Sequence, residues 1–309
     1  MTETDGIFDV VIVGGGPAGL SAAIWCGDLG LRAILLESET ELGGQMLSIF
    51  NPVINYPGVI TANGREMRDR FAAQAGKSNA VLKLRSPVEQ IDCASKTVGL
   101  ANGESISGKN LIIATGVRRR RLGVPGESEL AGRGIIESGS KDRESVAGKR
   151  VAIIGGGDAA LENASILGEH AQRVYVVHRR AEFSARREFV ETAASARNIE
   201  FVMNSAVTAI GGNNAVEAVN LEHLDSRKNF IIPVDYVLIR IGVRPNSELV
   251  RDKLDLDPRG YIKVDATCET TVPGVYAIGD IASPISPTIS TAAGHGATTA
   301  KAIAAKIYT

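Results

Sequence analysis

Phe8-Asp9-Val10-Val11-Ile12-Val13-Gly14-Gly15-Gly16-Pro17-Ala18-Gly19 is an apolar run that ends in a cluster of glycines. The run reads as a short buried strand. The stretch after it, Leu20-Ser21-Ala22-Ala23-Ile24-Trp25, reads as a helix. Strand, glycine turn and helix in that order make the phosphate fingerprint of a dinucleotide-binding βαβ unit, which the glycines alone would not. Gly14 permits the tight turn, Gly16 lets the backbone approach a pyrophosphate, and Gly19 lets the helix pack closely on the sheet. Pro17 and Ala18 open the helix, whose free N–H groups face the phosphates. The pattern recurs at Val151-Ala152-Ile153-Ile154-Gly155-Gly156-Gly157-Asp158-Ala159-Ala160. Two such units in 309 residues imply two dinucleotides in one molecule, and so an enzyme that moves electrons between them.

The second strands of the two units differ in how they end. Arg32-Ala33-Ile34-Leu35-Leu36 ends at Glu37, 18 residues after Gly19, where a partner for a ribose hydroxyl is expected. An acid there disfavours a 2′-phosphate, so this half should hold the ADP part of FAD or NAD. Val174-Tyr175-Val176-Val177 ends instead in His178-Arg179-Arg180, with Arg186 and Arg187 close behind. Arginines in the acid's place exchange a hydroxyl acceptor for phosphate-binding cations, which predicts NADPH over NADH. Gly155, Gly157, Asp158 and Ala159 would cradle its pyrophosphate.

Composition narrows the class. Hydrophobic content of 44% supports two cores, and a net charge of −1 gives no general case for nucleic acid or membrane binding. The basic run Arg118-Arg119-Arg120-Arg121 is an exception, read as a solvated hinge face rather than a docking patch. No apolar run approaches the ~18 residues that span a membrane. The acidic start Met1-Thr2-Glu3-Thr4-Asp5-Gly6 does not read as a signal peptide, and three scattered cysteines suggest a reducing cytoplasm. The expected fold is α/β, with two Rossmann-like domains.

Further segments resemble the thioredoxin reductase family over essentially the whole chain, from Phe8 to about Tyr308. They are Glu41-Leu42-Gly43-Gly44-Gln45, Asn55-Tyr56-Pro57-Gly58, Ala114-Thr115-Gly116 and Val275-Tyr276-Ala277-Ile278-Gly279-Asp280. The resemblance decides the first nucleotide as FAD, and places Gly44, Gln45, Asn55, Ala114, Thr115, Gly116 and Gly279 against it. It also implies that Asp280 contacts the ribitol and that a helix around Gly294-His295-Gly296 aims its N-terminus, with Thr288 and Ile289, at the flavin pyrimidine. His295 would then fall near the flavin as a candidate proton donor. The family's domain order is an FAD domain interrupted by an NADPH domain. Here that means residues 1–116 and 242–309 around 117–241, with hinges near Gly116 and Gly242. A homodimer built through the FAD domains is implied too.

The family's redox Cys-x-x-Cys precedes the second glycine turn. Setting Gly132-Arg133-Gly134 against the family's matching Gly-Arg-Gly puts the two cysteine positions on Ser138 and Lys141, with the following aspartate kept as Asp142, a second catalytic candidate. Serine and lysine cannot form a disulfide. Cys26, Cys93 and Cys268 read as structural, and the histidines His170, His178, His223 and His295 form no cluster with metal spacing. The family includes ferredoxin/flavodoxin–NADP reductases without the dithiol, which share Gly148-Lys149-Arg150 and a fingerprint close to Gly155-Gly156-Gly157-Asp158-Ala159-Ala160. Those relatives carry a longer C-terminal extension, whereas this sequence stops at Thr309. The resemblance therefore implies hydride transfer from NADPH to FAD and onward transfer to ferredoxin or flavodoxin. The alternatives are a two-electron acceptor (quinone, oxygen, free flavin or a partner's disulfide) and a non-catalytic FAD/NADPH sensor.

Overall fold

A computed structural model describes residues 7–308; the acidic start at residues 1–6 and the final Thr309 lie outside the described residues. The chain divides into two units. One combines Met1–Arg118 with Arg244–Thr309, and the other is Arg119–Val243. The crossings fall two residues later than the boundaries expected from sequence. Gly116 and Gly242, close to them, both have left-handed backbone, with φ of 65° and 87°.

The first unit is built on Phe8–Val13. This strand pairs in parallel with Ala33–Leu36 on one side and Ser105–Ile113 on the other. Val81–Lys83 extends the sheet beyond Ala33–Leu36, and Val275–Ala277 beyond Ser105–Ile113, again in parallel. Both faces are covered, which is why the strands read as continuous apolar runs. Val10, Ile12, Ala33 and Leu35 pack with Ala22, Ala23, Cys26, Ala300 and Ile303 of two helices. Their neighbours Val11, Val13, Ile34 and Leu36 pack on the opposite side with Val98, Leu100, Val250 and Leu254. Each fully buried aliphatic side chain contributes about 1.5–3 kcal/mol. Ser105–Ile113 serves twice: its first residues pair antiparallel with Thr97–Leu100, which continues to Val88–Asp92.

The helices Pro17–Asp28 and Ile289–Tyr308 pack closely on the first face. Gly296 allows it, since a Cβ there would stand 2.6 Å from the Ala22 nitrogen. Ser21 Oγ donates to the Ala293 carbonyl at 2.7 Å and joins the two helices. The long helix starts at Ile289, so Thr288 and Ile289 stand at its N-terminus and Gly294-His295-Gly296 lies within its body. The Thr288 hydroxyl accepts the Thr291 N–H at 3.1 Å and caps the first turn.

The second unit repeats the plan with different cover. Its parallel sheet runs Ile135–Ile136, Tyr236–Ile239, Arg150–Ile154, Arg173–Val177, Ile199–Val202. The helix Asp158–Gly168 covers one face through Leu161, Ala164 and Leu167. An antiparallel meander, Ser205–Gly211, Ala218–His223 and Asn229–Pro233, covers the other through Val219 and Leu221.

Candidate functional site

The first glycine turn is shaped by contacts that only glycine permits. Gly14 has φ 112°, and a Cβ on it would meet the Ala114 carbonyl oxygen at 2.4 Å. A Cβ on Gly19 would lie 1.9 Å from the Gly14 oxygen. Gly16 differs, with nothing within 4 Å of its Cβ position, so the turn opens there into free space. No side chain caps the helix that follows, and Pro17 removes one N–H from its first turn. The remaining N–H groups face outward as an anion site.

Around this turn the structure gathers most of the residues singled out in the first unit. Glu37, 7% exposed, accepts the Gly15 N–H through Oε2 at 2.8 Å. Its Oε1 accepts the Ser38 hydroxyl and the Glu39 N–H, each at 3.0 Å. Gly44 would place a Cβ 3.0 Å from Gly16 Cα, and Gly279 would place one 2.7 Å from Ala18 Cβ. Thr115 Oγ1 donates to the Asn246 carbonyl at 3.0 Å, and Gln45 Nε2 donates to the Val117 carbonyl at 3.0 Å. Open space surrounds Gly116 as it does Gly16. Asn55 stands exposed on the hairpin Val53–Tyr56/Val59–Thr61, and no hydrogen bond ties it to this group.

Asp280 is half-buried, and its carboxylate has no hydrogen-bond partner among the described residues. Burial holds its pKa above the ordinary carboxylate value. Beside it His295 Nδ1 accepts the Gly279 N–H at 3.2 Å, which puts the ring proton on Nε2. Burial pushes the His295 pKa below 6.5. A buried acid without a partner, next to a bare helix end and open glycines, fits a polyhydroxylated nucleotide better than a closed core.

The second turn is backed by protein. Gly155 would place a Cβ 2.2 Å from the Arg240 carbonyl oxygen. A Cβ on Gly156 would fall 2.3 Å from the His178 ring, which is buried beneath the turn. That ring bonds to the Glu182 carbonyl through Nε2 at 3.0 Å and stacks on Phe183. Burial, with Arg179 and Arg180 nearby, keeps His178 below its ordinary pKa. Arg179 and Arg180 themselves are exposed at the strand end. Arg186 is engaged: its backbone N–H and Nε donate to Asp158 at 2.7 and 2.8 Å. The Ser184 hydroxyl donates to the Gly156 carbonyl, so the loop lies against the turn. Ala159 lies in the first turn of the helix, and its carbonyl accepts Asn163 Nδ2 at 2.6 Å.

Asp142 Oδ2 accepts the N–H groups of Glu137 and Ser138, each at 3.0 Å, and caps that turn. The basic run is largely solvated, with Arg119, Arg120 and Arg121 exposed and Arg118 half-buried, but its side chains also have protein partners. Arg118 pairs with Glu248 and donates to Asn246. Arg119 donates to the Glu137 carbonyl, Arg120 to the Val243 carbonyl, and Arg121 to Ser128 Oγ. Except for Ser128, these partners lie far from their arginines in sequence, where a local charge count does not reach. One residue missed altogether is Arg240, whose side chain reaches Glu137 from the end of an apolar strand. Its signal was a lone charge in Val237-Leu238-Ile239-Arg240-Ile241.

Cys26, Cys93 and Cys268 are all free and buried. Burial raises the pKa of each thiol, that of Cys26 to about 12. Among the described residues no group of three or more His, Cys, Asp or Glu could hold a metal, and no helix is long and apolar enough to cross a membrane.

The family model described as pyridine nucleotide-disulphide oxidoreductase matches residues 8–296. The thioredoxin reductase of Mycolicibacterium smegmatis is 34% identical over 299 residues, covering 96% of this chain and 95% of that protein. Among solved structures, T. acidophilum thioredoxin reductase is 31% identical with a TM-score of 0.83, covering 98% of this chain and 99% of that one. Lactococcus lactis thioredoxin reductase, in its FR conformation, is 29% identical with a TM-score of 0.85, covering 97% and 99%.

Proposed function

We propose, from the premise that this chain belongs to the pyridine nucleotide-disulphide oxidoreductase family, that it passes electrons from NADPH to a small one-electron protein such as ferredoxin or flavodoxin without an internal dithiol. The thioredoxin reductase-like fold and the cofactor pair, FAD and NADPH, come with that membership. When bound, the flavin takes a hydride from the nicotinamide and can release the two electrons singly.

The chain's own part is to bind and orient. The turn Gly14, Gly16, Gly19 with Pro17 and Ala18 would hold the FAD pyrophosphate, and Glu37 a hydroxyl of its adenosine ribose. Asp280 would hold the ribitol, where a hydroxyl could satisfy its partnerless carboxylate. Gly44, Gln45, Asn55, Ala114, Thr115, Gly116, Gly279, Thr288 and Ile289 would line the rest. The backbone N–H groups of the turn and helix start at Gly155, Gly157, Asp158 and Ala159 would hold the NADPH pyrophosphate, and Arg179 and Arg180, supported by His178, its 2′-phosphate, while Arg186 pairs with the Asp158 carboxylate and draws its loop to the turn.

The cysteines carry the reading of the acceptor. All three thiols are buried with raised pKa values, and thiol–disulfide exchange needs an accessible thiolate. Buried reduced thiols also suit a cytoplasmic protein. A homodimer through the FAD-binding unit belongs to the same proposal.

The test is anaerobic reduction with NADPH, followed by ferredoxin, flavodoxin, quinone and thioredoxin in turn. Bleaching of the flavin and fast reoxidation by ferredoxin or flavodoxin, with none by thioredoxin, is the expected result. Reduction of thioredoxin by the unmodified chain, lost on replacing one native cysteine, would overturn it. Reoxidation by quinone alone would transfer the reading to a two-electron acceptor, and absence of bleaching would make the protein a sensor.

A further inference from the structure

Two arginines of the Arg119–Val243 unit converge on one oxygen. Arg119 Nη1 donates to the Glu137 carbonyl at 2.5 Å, and Arg240 Nη2 donates to the same carbonyl at 2.6 Å. Neither guanidinium forms an ion pair among the described residues. Nearby carboxylates are otherwise employed: Glu137 pairs with Lys141, and Asp142 caps the turn at Glu137 and Ser138. Arg240 is half-buried. Burial and the charge of Arg119 push its pKa down to about 10, with Asp142 and Glu162 offsetting part of that field. Two like charges drawn to a single neutral acceptor leave positive potential that the nearby carboxylates of Glu137, Asp142 and Glu162 offset only in part.

Their place in the sheet says which anion that potential meets. Arg240 follows Tyr236–Ile239, and Glu137 follows Ile135–Ile136, so both stand at the carboxyl ends of parallel strands. Open α/β sheets bind nucleotides along that edge. The Arg240 N–H donates to the Ile154 carbonyl at 2.7 Å, immediately before the glycine turn, and its own carbonyl backs Gly155. Arg179 and Arg180 end the neighbouring strand on the other side of the turn. A dinucleotide with its 2′-phosphate toward Arg179 and Arg180 must therefore run its nicotinamide half toward Tyr236–Ile239 and Arg240. The turn itself carries an extra negative charge that the first unit lacks. Asp158 opens this helix where Pro17 opens the other, and Arg186 is spent on it. A pyrophosphate here gains from a cation on the nicotinamide side.

We propose that Arg119 and Arg240 form an oxyanion subsite that takes the nicotinamide-side phosphate of the bound dinucleotide, separate from the 2′-phosphate position at Arg179 and Arg180. Both arginines keep spare N–H donors after serving Glu137, and a guanidinium presents them in a fork that suits phosphate oxygens.

Binding of three probes to the FAD-loaded protein tests this: NADP⁺, inorganic pyrophosphate and 2′-AMP. In the double variant R119Q/R240Q, NADP⁺ affinity should fall about tenfold or more, and pyrophosphate should cease to compete with NADP⁺. 2′-AMP, which has no pyrophosphate, should bind within twofold of the unmodified protein. R119K/R240K keeps both charges and should restore most of the pyrophosphate competition, which a purely packing role would not do. Unchanged NADP⁺ and pyrophosphate binding in R119Q/R240Q would overturn the proposal. So would an equal loss of all three probes, which would mean that the edge of the sheet has collapsed. A raised KM for ferredoxin with NADP⁺ binding untouched would also overturn it, assigning the anion to the acceptor. The three binding readings do not depend on which acceptor the enzyme uses.

Discussion

Replacing Glu37 by Gln isolates one charge at the proposed FAD site with little change in volume. The carboxylate now serves donors at both ends, the Gly15 N–H at 2.8 Å on one and the Ser38 hydroxyl and Glu39 N–H at 3.0 Å on the other. An amide has one acceptor end, so either way it turns, an NH₂ group faces an N–H or hydroxyl donor. The adenosine ribose would donate to this carboxylate only when FAD is bound, so the amide loses a hydrogen bond from ribose to a charged acceptor, worth about 1.5–3 kcal/mol. At 1.4 kcal/mol per tenfold, FAD binding should weaken by about 10- to 100-fold. The assay is reconstitution of flavin-free protein, following the change in flavin fluorescence. Ser38→Ala removes only an outer neutral donor and should cost no more than about threefold. NADP⁺ affinity, read in the other unit, should not move. If E37Q takes up FAD within twofold of the unmodified affinity, the assignment of Glu37 to the nucleotide is wrong.

The double change R179A/R180A should raise the KM for NADPH by about 10- to 100-fold and leave that for NADH nearly unchanged; equal use of both coenzymes by the unmodified protein would refute the 2′-phosphate reading. Gly19→Ala forces a Cβ to 1.9 Å from the Gly14 oxygen, a backbone atom, and should cost about 1–3 kcal/mol or more of stability in flavin-free thermal melts. Gly16→Ala meets nothing within 4 Å, so it should lower FAD affinity with a much smaller effect on the same melt, and equal destabilisation by the two changes would count against the open turn. His295 has a folded pKa depressed by burial below its ordinary 6.5, so the unfolded chain takes up that proton first as pH falls. Its stabilising contribution is therefore complete above pH 6.5 and is lost as pH drops through the depressed folded value; His178, depressed too, acts with the same sign. H295N keeps an acceptor for the Gly279 N–H without titrating, and should flatten part of the fall in melting temperature below pH 6.5 relative to the parent, whereas identical pH profiles would refute the role.

What could be read in the sequence was local. Phe8–Val13 and Arg150–Ile154 announce themselves because a strand buried on both faces is apolar throughout, and the glycines after them answer to contacts made within the same βαβ unit. Glu37 and Arg179 lie at predictable distances because the helix and the next strand return the chain to the same sheet edge. What could not be read depends on partners far along the chain. Arg118 is held by Glu248, and Arg120 by Val243, so a run of arginines that is solvated as expected also has partners that the local sequence does not show. Arg240 gave no site signal of its own, because its meeting with Arg119 over Glu137 needs three separate segments. The meanders hid as well: Asn229–Pro233 alternates exposed and half-buried residues too weakly to signal a face. The capping role of Asp142 Oδ2 was likewise out of reach, because it depends on how the short turn at Glu137 and Ser138 folds.

The shared strand Ser105–Ile113 gives the molecule an order of assembly in time. Its parallel neighbour Val275–Ala277 sets Val275 beside Leu111 and Ala277 beside Ile113, and the whole of Arg119–Val243 is encoded between them. On the ribosome the inserted unit is finished while the unit that surrounds it still has an unpaired edge, a row of N–H and C=O groups open to any passing strand. The inserted unit therefore matures first, and the unit around it waits for the last strand to be translated. A chain cut short before Val275 would have a complete second unit and an unfinished first one.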